Sequence, residues 1–195
     1  MNELIQGTPE WLELRRTHIG ASDAPIIMRV SPWTTPRQLF ERKLCIVPEQ
    51  KTNAAMLRGQ ESEPYNRKAF EDWIGAEFKP CVLFDKEYPW MMASMDGVSS
   101  DGRAVEIKLA NKADHARVKS GKVPKKYFPQ LQHQMRVGGL DDIFYWSCLA
   151  VDFDNNLFDY AVVSCGRDQN YINELVKEEN KFYECLITYN YPEGG

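Results

Sequence analysis

The amino-acid sequence predicts a domain of the α/β or α+β class, in which a central mixed β-sheet is flanked by helices. Its 195 residues are the size of one ordinary domain. Apolar residues follow a helical period before Gly75 and then switch to the alternation of strands, interrupted by two more helical stretches. No internal repeat, low-complexity tract or Gly/Ser-rich linker divides the chain. A single domain over residues 1–195 is therefore expected.

Four helices are predicted before Gly75 from capping residues and apolar spacing. The first is capped by Thr8, begins at Pro9 and has Gly20 as its natural stop; the second is capped by Ser22. The third covers about Pro36 to Leu44 and the fourth about Asn53 to Ile74, where Pro64 predicts a kink or a fresh start.

Strands and two further helices are predicted after Gly75. The strands are Phe78 to Phe84, Tyr88 to Val98, Arg103 to Leu109, Ile143 to Val151 and Leu157 to Val163. The helices are about Pro129 to Val137, which Gly138 ends, and about Gln169 to Leu186.

The composition favours a soluble, intracellular protein without a membrane segment. No apolar run approaches the ~20 residues that span a bilayer. The acidic N-terminus lacks the basic-then-apolar pattern of a signal peptide. Five scattered cysteines, none in a CxxC spacing, argue against a disulfide framework or a structural zinc site.

The net charge is −4, but basic residues are concentrated in one segment. Residues 112–126 contain a single acid, Asp114, and six basic residues, which are Lys112, Arg117, Lys119, Lys122, Lys125 and Lys126. Such a stretch can bind phosphates along a nucleic-acid backbone. Taken alone, the stretch is more typical of a solvated loop, and the sequence leaves both interpretations open.

Residues 91–110 form the most informative segment. Ser100-Asp101-Gly102 is typical of a three-residue hairpin loop with its glycine in the left-handed conformation. A reversal centred on the middle residue places Asp96 directly opposite Glu106, and Lys108 lies one pleat further along the same face. Facing carboxylates destabilise a hairpin. A Mg²⁺ ion between them would remove that repulsion, and the three side chains would then form a candidate site for phosphodiester hydrolysis.

The E-x-K spacing of Glu106 and Lys108 is weak evidence by itself, because it occurs by chance in most chains of this charge. The alternative is a surface salt-bridge face on an ordinary hairpin. The hairpin residues alone leave these two interpretations open.

The spacing of Asp96, Glu106 and Lys108 resembles the core of the PD-(D/E)xK nucleases. The wider chain resembles the lambda exonuclease branch, which includes the YqaJ-like viral recombinases, and this resemblance implies a restriction-endonuclease-like core. Four motifs carry the resemblance over about residues 8–165. They are W-(x3)-R…G-A-S-D (Trp11 to Asp23), R-G-(x3)-E-P (Arg58 to Pro64), S-M-D-G…V-E-I-K (Ser94 to Lys108) and Y-(x2)-Q-(x)-Q-(x2)-M (Tyr127 to Met135).

The resemblance implies a metal site with a third acid. It selects Glu63 rather than Glu61 to join Asp96 and Glu106, with the carbonyl of Ile107 as a further metal ligand. Three carboxylates carry enough charge to hold one Mg²⁺ ion and to recruit a second.

The resemblance also implies that Tyr127 and Gln130 lie beside the reacting phosphate and its water. The two residues are three apart at the start of a helix, so they can share a face. Gln132 and Gln134 are expected off that face, at the surface or in contact with DNA. His133 is interpreted as a bystander rather than a general base.

In the resembled family, an arginine and a serine at the positions of Arg15 and Ser22 grip the terminal 5′-phosphate. A guanidinium binds phosphate bidentately, which makes the assignment physically reasonable. The alternative is a surface arginine and a capping serine. Lys112, Arg117 and Lys119 are the expected DNA contacts of the basic segment.

The function that the resemblance implies is a Mg²⁺-dependent 5′-to-3′ exonuclease, with Mn²⁺ as a possible substitute. It would degrade one strand of linear double-stranded DNA from a 5′-phosphorylated end and leave 3′ overhangs, and Lys108 would position or deprotonate the attacking water. A homotrimeric ring, a single-strand annealing protein as partner and a cytoplasmic location, in a bacterial host or encoded by a prophage, are also implied.

Two alternative functions remain open at the sequence level. One is an endonuclease or single-strand nuclease on the same core, and the other is a non-catalytic DNA-binding module. A small-molecule hydrolase is not expected, because the sequence shows no Ser-His-Asp constellation or Gly-rich phosphate loop.

Overall fold

The computed structural model describes residues 7–48, 53–155 and 157–192. Its elements, in chain order, are α1 (Pro9–Thr17), β1 (Ile19–Gly20), α2 (Ala24–Ile27), α3 (Pro36–Lys43), α4 (Ala54–Ile74), β2 (Lys79–Phe84), β3 (Met91–Val98), β4 (Ala104–Leu109), α5 (Lys112–Lys119), α6 (Phe128–Gly138), β5 (Asp142–Asp152), β6 (Leu157–Gly166) and α7 (Gln169–Thr188). After Gly75 the boundaries of every predicted strand and helix lie within three residues of the observed ones.

The strands form one mixed sheet in the order β1-β3-β4-β5-β6, with β2 paired to β3. Strand β1 runs parallel to β3, and β4 runs parallel to β5. The remaining pairs, β2 with β3, β3 with β4 and β5 with β6, are antiparallel. The predicted class, a central mixed sheet flanked by helices, is confirmed.

Two apolar clusters cover the two faces of the sheet. On one face, Leu131 and Met135 of α6 pack against Tyr145 of β5. On the other, Phe70 of α4 packs against Val105, Ile107 and Trp146, as the alternation of β4 predicts. Since neighbouring residues of β4 point to opposite faces, Glu106 lies on the α6 side, where its strand meets the first turns of that helix.

The N-terminal helices agree with the sequence in part. Thr8 caps α1 through a bond from the Trp11 amide, as predicted. The helix ends at Thr17, and Gly20 instead belongs to the short strand β1. Ser22 is not the cap of α2, because the N-cap position belongs to Asp23, whose carboxylate accepts the Gly20 amide instead. The spacing of capping residues did not predict that the buried Asp23 carboxylate would bind the Gly20 amide.

Two features of the middle of the chain differ from the sequence-based expectation. Helix α4 continues through Pro64 without a fresh start, and its buried Phe70 anchors the second half against the sheet. Helix α5 was not predicted at all. It buries only His115 and Val118, so it carries no apolar period that a sequence pattern would detect.

Two further observations concern the cysteines and the helices. All five cysteines are free. Among the helices of the described ranges, none combines the length and the apolar composition needed to cross a bilayer.

Candidate active site

The hairpin between β3 and β4 has the predicted register. Gly97 pairs with Val105 and Val98 with Ala104, and Gly102 in the turn is left-handed with φ +86°. The backbone ladder ends before the next pair, Asp96 and Glu106. Beyond this point a side chain replaces the backbone hydrogen bonds, since Asp96 Oδ2 accepts the backbone amide of Ile107 at 2.8 Å.

A β-bulge in β3 lies at the same position. Against β2, the register runs from Lys79 with Val98 to Cys81 with Met95, so β3 uses one residue more than β2 over this stretch. The room for it comes from Gly97, where a Cβ atom would lie 2.9 Å from the Cβ of Phe78. Bulges re-aim side chains, and this one includes Asp96, whose carboxylate binds the Ile107 amide.

Glu106 is the most heavily hydrogen-bonded carboxylate of the site and is 1% exposed. Its Oε1 accepts the side-chain amide of Gln130 at 2.6 Å, and its Oε2 accepts that of Gln134 at 2.5 Å. Lys108 forms an ion pair with Oε1. The predicted residues Glu106, Lys108 and Gln130 are therefore brought together.

The prediction for Gln134 is wrong. It was expected at the surface, but it is fully buried and is the second amide donor to Glu106. Gln130 and Gln134 are four residues apart on α6 and therefore lie on one helix face, a signal that the sequence did contain. Gln132 is buried as well, and binds the backbone of Gly166 and Asp168 instead of solvent.

The charges of the site shift the pKa values of its members. Burial raises the pKa of Asp96 well above its usual value, and the neighbouring charges of Glu106 and Glu63 raise it further. Burial lowers the pKa of Lys108, but the carboxylates of Glu106 and Asp96 outweigh that effect and raise it above its usual value. Lys108 is therefore a protonated ammonium at neutral pH, a state suited to positioning a water rather than to deprotonating it.

Glu63 reaches the site from α4, whereas Glu61 on the same helix is exposed. Burial raises the pKa of Glu63, the charge of Arg67 opposes this, and the charge of Glu106 adds to it. Arg67 bonds both the Glu63 carboxylate, at 3.4 Å, and the backbone carbonyl of Asp96, at 2.9 Å. This arginine was missed at the sequence level, and its position four residues after Glu63 was the available signal.

Tyr127 borders the site from the turn that precedes α6. The Lys108 Nζ lies 5.6 Å from its ring centroid, and its ring packs 5.7 Å from that of Tyr145. The half-buried Tyr127 ring thus lies next to the Lys108 ammonium, at the rim of the site.

Arg15 and Ser22 are brought together, as the resemblance implied. The Arg15 guanidinium donates to the Ser22 hydroxyl at 3.0 Å and lies over the Trp11 ring. Trp11 in turn donates to Ser94 Oγ at 2.9 Å on β3. This pair forms an exposed basic corner tied to the strand that carries Asp96.

The three basic residues predicted to contact DNA lie on α5. Lys112 is exposed and, within the described ranges, makes no ion pair. Arg117 is exposed and donates to the carbonyl of Val123. Lys119 is paired with Asp159 at 2.5 Å, so its charge is partly neutralised.

The structure brings together a Ser-His-Asp set that the sequence did not reveal. His115 Nδ1 lies 2.9 Å from Ser147 Oγ, and its Nε2 lies 3.3 Å from Asp159. Ser147 is fully buried in β5, so no substrate reaches its hydroxyl. The set therefore ties α5 to the sheet and does not supply a nucleophile.

The His133 ring contacts Glu179 and the backbone of Met92 rather than the site carboxylates Asp96, Glu106 and Glu63, and its interpretation as a bystander stays a prediction. Its ring is fully buried, with Nδ1 2.8 Å from Glu179 on α7 and Nε2 3.0 Å from the carbonyl of Met92. The pair joins α6 to α7 and to β3.

A family model for the YqaJ-like viral recombinase domain matches residues 10–141 of the chain. The chain belongs to this family. The match covers Arg15, the hairpin acids and the glutamines of α6, so the site described above lies inside the family domain.

Individual relatives agree with the family match. This YqaJ-like chain is 30% identical, over 183 residues, to the uncharacterized protein YqaJ of Bacillus subtilis (strain 168). The alignment covers 91% of the chain but only 56% of that relative, so the chain spans little more than half its length.

Solved structures show the same fold. An alkaline exonuclease from Laribacter hongkongensis, crystallised in complex with dAMP, is 26% identical with a TM-score of 0.79, covering 93% of this chain and 94% of its own. A phage-related exonuclease from Haemophilus somnus is 17% identical with a TM-score of 0.62, covering 88% and 96% respectively. The second shares the fold alone.

The donor set of the YqaJ-like chain suits a hard divalent cation. Among the described residues, no three His, Cys, Asp or Glu side chains are already grouped as a metal centre. Asp96 and Glu106 are nevertheless buried carboxylates whose charges oppose each other, with Glu63 beside them. Carboxylate oxygens are the ligands that Mg²⁺ prefers, and a cation would relieve this repulsion.

Proposed function

We propose that this protein is a Mg²⁺-dependent exonuclease, able to use Mn²⁺, that degrades one strand of linear double-stranded DNA in the 5′-to-3′ direction. It starts at a 5′-phosphorylated end and leaves a 3′ overhang suited to recombination by single-strand annealing. The observation that carries the proposal is the convergence of Asp96, Glu106 and Lys108, with two amide donors from α6, in a chain of this family.

The proposed metal ligands are Asp96, Glu106, Glu63 and the carbonyl of Ile107. When bound there, the cation would supply a water of lowered pKa and offset the charge of the phosphate. Every other contribution comes from the protein. The Ile107 amide fixes the Asp96 carboxylate at 2.8 Å, so this ligand is already oriented.

The remaining residues position the reacting groups. Gln130 and Gln134 each donate to one oxygen of Glu106, which limits rotation of that carboxylate. The Lys108 ammonium holds the attacking water and offsets negative charge that develops on the phosphate. Tyr127 covers the ammonium and limits access of bulk water.

Recognition of the 5′ end is assigned to Arg15 and Ser22. Their side chains already contact each other, so one phosphate can accept from both. The Arg15 side chain is about one third exposed, at 36%, and is therefore accessible to a ligand. Lys112, Arg117 and Lys119 of α5 would bind the backbone of the duplex, with Lys112 contributing most because it has no acidic partner within the described ranges.

The proposal extends to the assembly. By resemblance, three copies would form a ring around the duplex, and a single-strand annealing protein would receive the 3′ overhang. Light scattering on the purified protein, with and without a DNA duplex, measures the mass of the assembly and therefore tests whether three copies associate.

The test uses linear duplexes labelled at either end, with and without a 5′-phosphate, in Mg²⁺ and then in EDTA. We expect label loss to begin at the 5′-phosphorylated terminus and to stop in EDTA. Lys108→Met, which keeps the aliphatic stem, serves as the inactive control. Cleavage of covalently closed circular DNA at a similar rate would replace the exonuclease with an endonuclease, and activity of the Lys108→Met protein at the wild-type level would remove that residue from the mechanism.

A further inference from the structure

An exposed tryptophan stands beside the candidate site. Trp33 lies between α2 and α3 and is 64% exposed, more than the other tryptophans of the described ranges. Its ring centroid is 6.4 Å from that of Tyr127, at an interplanar angle of 39°. The exposed part of this ring is therefore accessible to a ligand at the rim of the site.

Trp33 is held in place by a lysine. Lys126 lies over the Trp33 ring at 4.8 Å and over the Tyr127 ring at 5.2 Å. Its ammonium is itself paired with Asp114 at 2.7 Å, and both side chains are largely covered. The cation is therefore fixed between two aromatic rings before any ligand arrives.

The loop that carries Trp33 is anchored on both sides. The Trp33 amide donates to Ser31 Oγ at 3.3 Å. Two residues later, Thr35 and Gln38 form a reciprocal capping box at the start of α3. Trp33 thus projects from a short, bonded segment, and Tyr127 connects it to Lys108, whose Nζ is 5.6 Å from the tyrosine ring.

We infer that Trp33, supported by Lys126, is a stacking platform for one unpaired base of the strand whose phosphate reaches Lys108. An indole with exposed surface gives a base a π-surface to stack on. Lys126, whose charge is paired with Asp114, supports the ring rather than binding the phosphate. The occupant is thus a nucleotide released from the duplex. This inference rests on the proposed function, because it takes DNA as the substrate of the same site.

The first experiment compares single-turnover cleavage by wild type, Trp33→Ala and Trp33→Phe on a 5′-phosphorylated duplex. Removing the ring should slow cleavage about 5- to 150-fold, the range that corresponds to ~1–3 kcal/mol per stacked base. Phenylalanine keeps a stacking face and should recover most of the rate. Tyr65→Ala is the matched control, since Tyr65 is 58% exposed on α4 and should change the rate less than twofold.

The second experiment removes the base instead of the ring. Duplexes carry one abasic position, placed in turn at each of the first three nucleotides of the degraded strand. At the position that stacks, the abasic substrate should slow the wild type by about as much as Trp33→Ala slows the intact one. Trp33→Ala should then show no further loss on that abasic substrate.

Three results would overturn the inference: less than twofold loss in Trp33→Ala, an equal loss in Trp33→Phe, or the same Trp33→Ala defect on every abasic substrate. If the wild type cleaves no DNA at all, the proposed function fails separately. Binding of 5′-phosphorylated single strands in EDTA, with and without the abasic position, then gives the same comparison by fluorescence anisotropy. Equal affinities of wild type and Trp33→Ala in that assay would also refute the platform.

Discussion

Replacing Asp96 with asparagine should stabilise the metal-free protein while it abolishes cleavage. Asp96 is a buried carboxylate directly beside Glu106, and Glu63 adds a third negative charge. Asparagine is nearly isosteric, and its carbonyl oxygen can still accept the Ile107 amide that Asp96 accepts at 2.8 Å. The substitution therefore removes charge with little change in packing.

The magnitude follows from three contributions, two of which destabilise the charged form of Asp96 and one of which stabilises it. Two unit charges about 5 Å apart repel by ~3 kcal/mol at an effective dielectric constant of 20, and the desolvation of Asp96 adds to this cost. The ammonium of Lys108 offsets part of it. We expect a net gain of about 1 to 3 kcal/mol in the free energy of unfolding at pH 8, which is roughly 3 to 9 °C in Tm for a chain of this size.

The assay is thermal and denaturant unfolding in EDTA at pH 5 and pH 8. The pKa of Asp96 is raised in the folded state, so the stability that its protonated form provides is complete below the usual value of 3.8 and is lost as pH rises through the raised pKa. The advantage of Asp96→Asn should therefore be larger at pH 8 than at pH 5. An asparagine variant that is less stable than wild type at pH 8 would show that the carboxylate charge is fully compensated without a cation.

Three further predictions concern other parts of the chain. Arg15→Ala should slow digestion of 5′-phosphorylated ends about 10- to 100-fold, because a charge-assisted hydrogen bond is lost. Ends with a 5′-hydroxyl should be digested equally by wild type and variant, and an equal defect on both kinds of end would contradict the assignment of Arg15 to the 5′-phosphate. Gln134→Leu should lower the unfolding free energy by about 1 to 3 kcal/mol, because Glu106 keeps a buried oxygen without its donor; an unchanged denaturation midpoint would contradict this. Burial lowers the pKa of His133, but the Glu179 charge outweighs this and raises the pKa above its usual value of 6.5. The stability that protonated His133 contributes is therefore complete below pH 6.5 and should be lost as pH rises through the raised value. Glu179→Gln should flatten this dependence of the unfolding free energy on pH in urea titrations, and a dependence that persists would place its origin elsewhere.

The candidate site could be predicted in part because one of its elements is local. The turn residues Ser100 to Gly102 set the hairpin register, and the register places Asp96 opposite Glu106. That inference needed only the two-residue repeat of strands and the conformational preference of glycine. The sequence did not predict that the ladder would end there and that the Asp96 carboxylate would bind the Ile107 amide.

The amide donors illustrate a second limit. Gln130 and Gln134 bind Glu106 across 24 and 28 residues of sequence. Helical spacing places both on one face, but which face of α6 meets β4 depends on how the helix packs against the sheet. The contacts of His115 with Ser147 and Asp159, 32 residues apart or more, have the same origin.

Local signals thus determined the order of the strands and helices other than β1 and α5, the capping of α1 by Thr8, the hairpin register and the short list of acids and basic residues. Their physical basis is the conformational preference of a few adjacent residues, which acts wherever the segment lies. The tertiary structure decided that α5 is a helix, that α4 continues through Pro64 and that Gln134 faces Glu106. Each of these depends on burial against a distant segment, and burial contributes free energy only when the two segments meet.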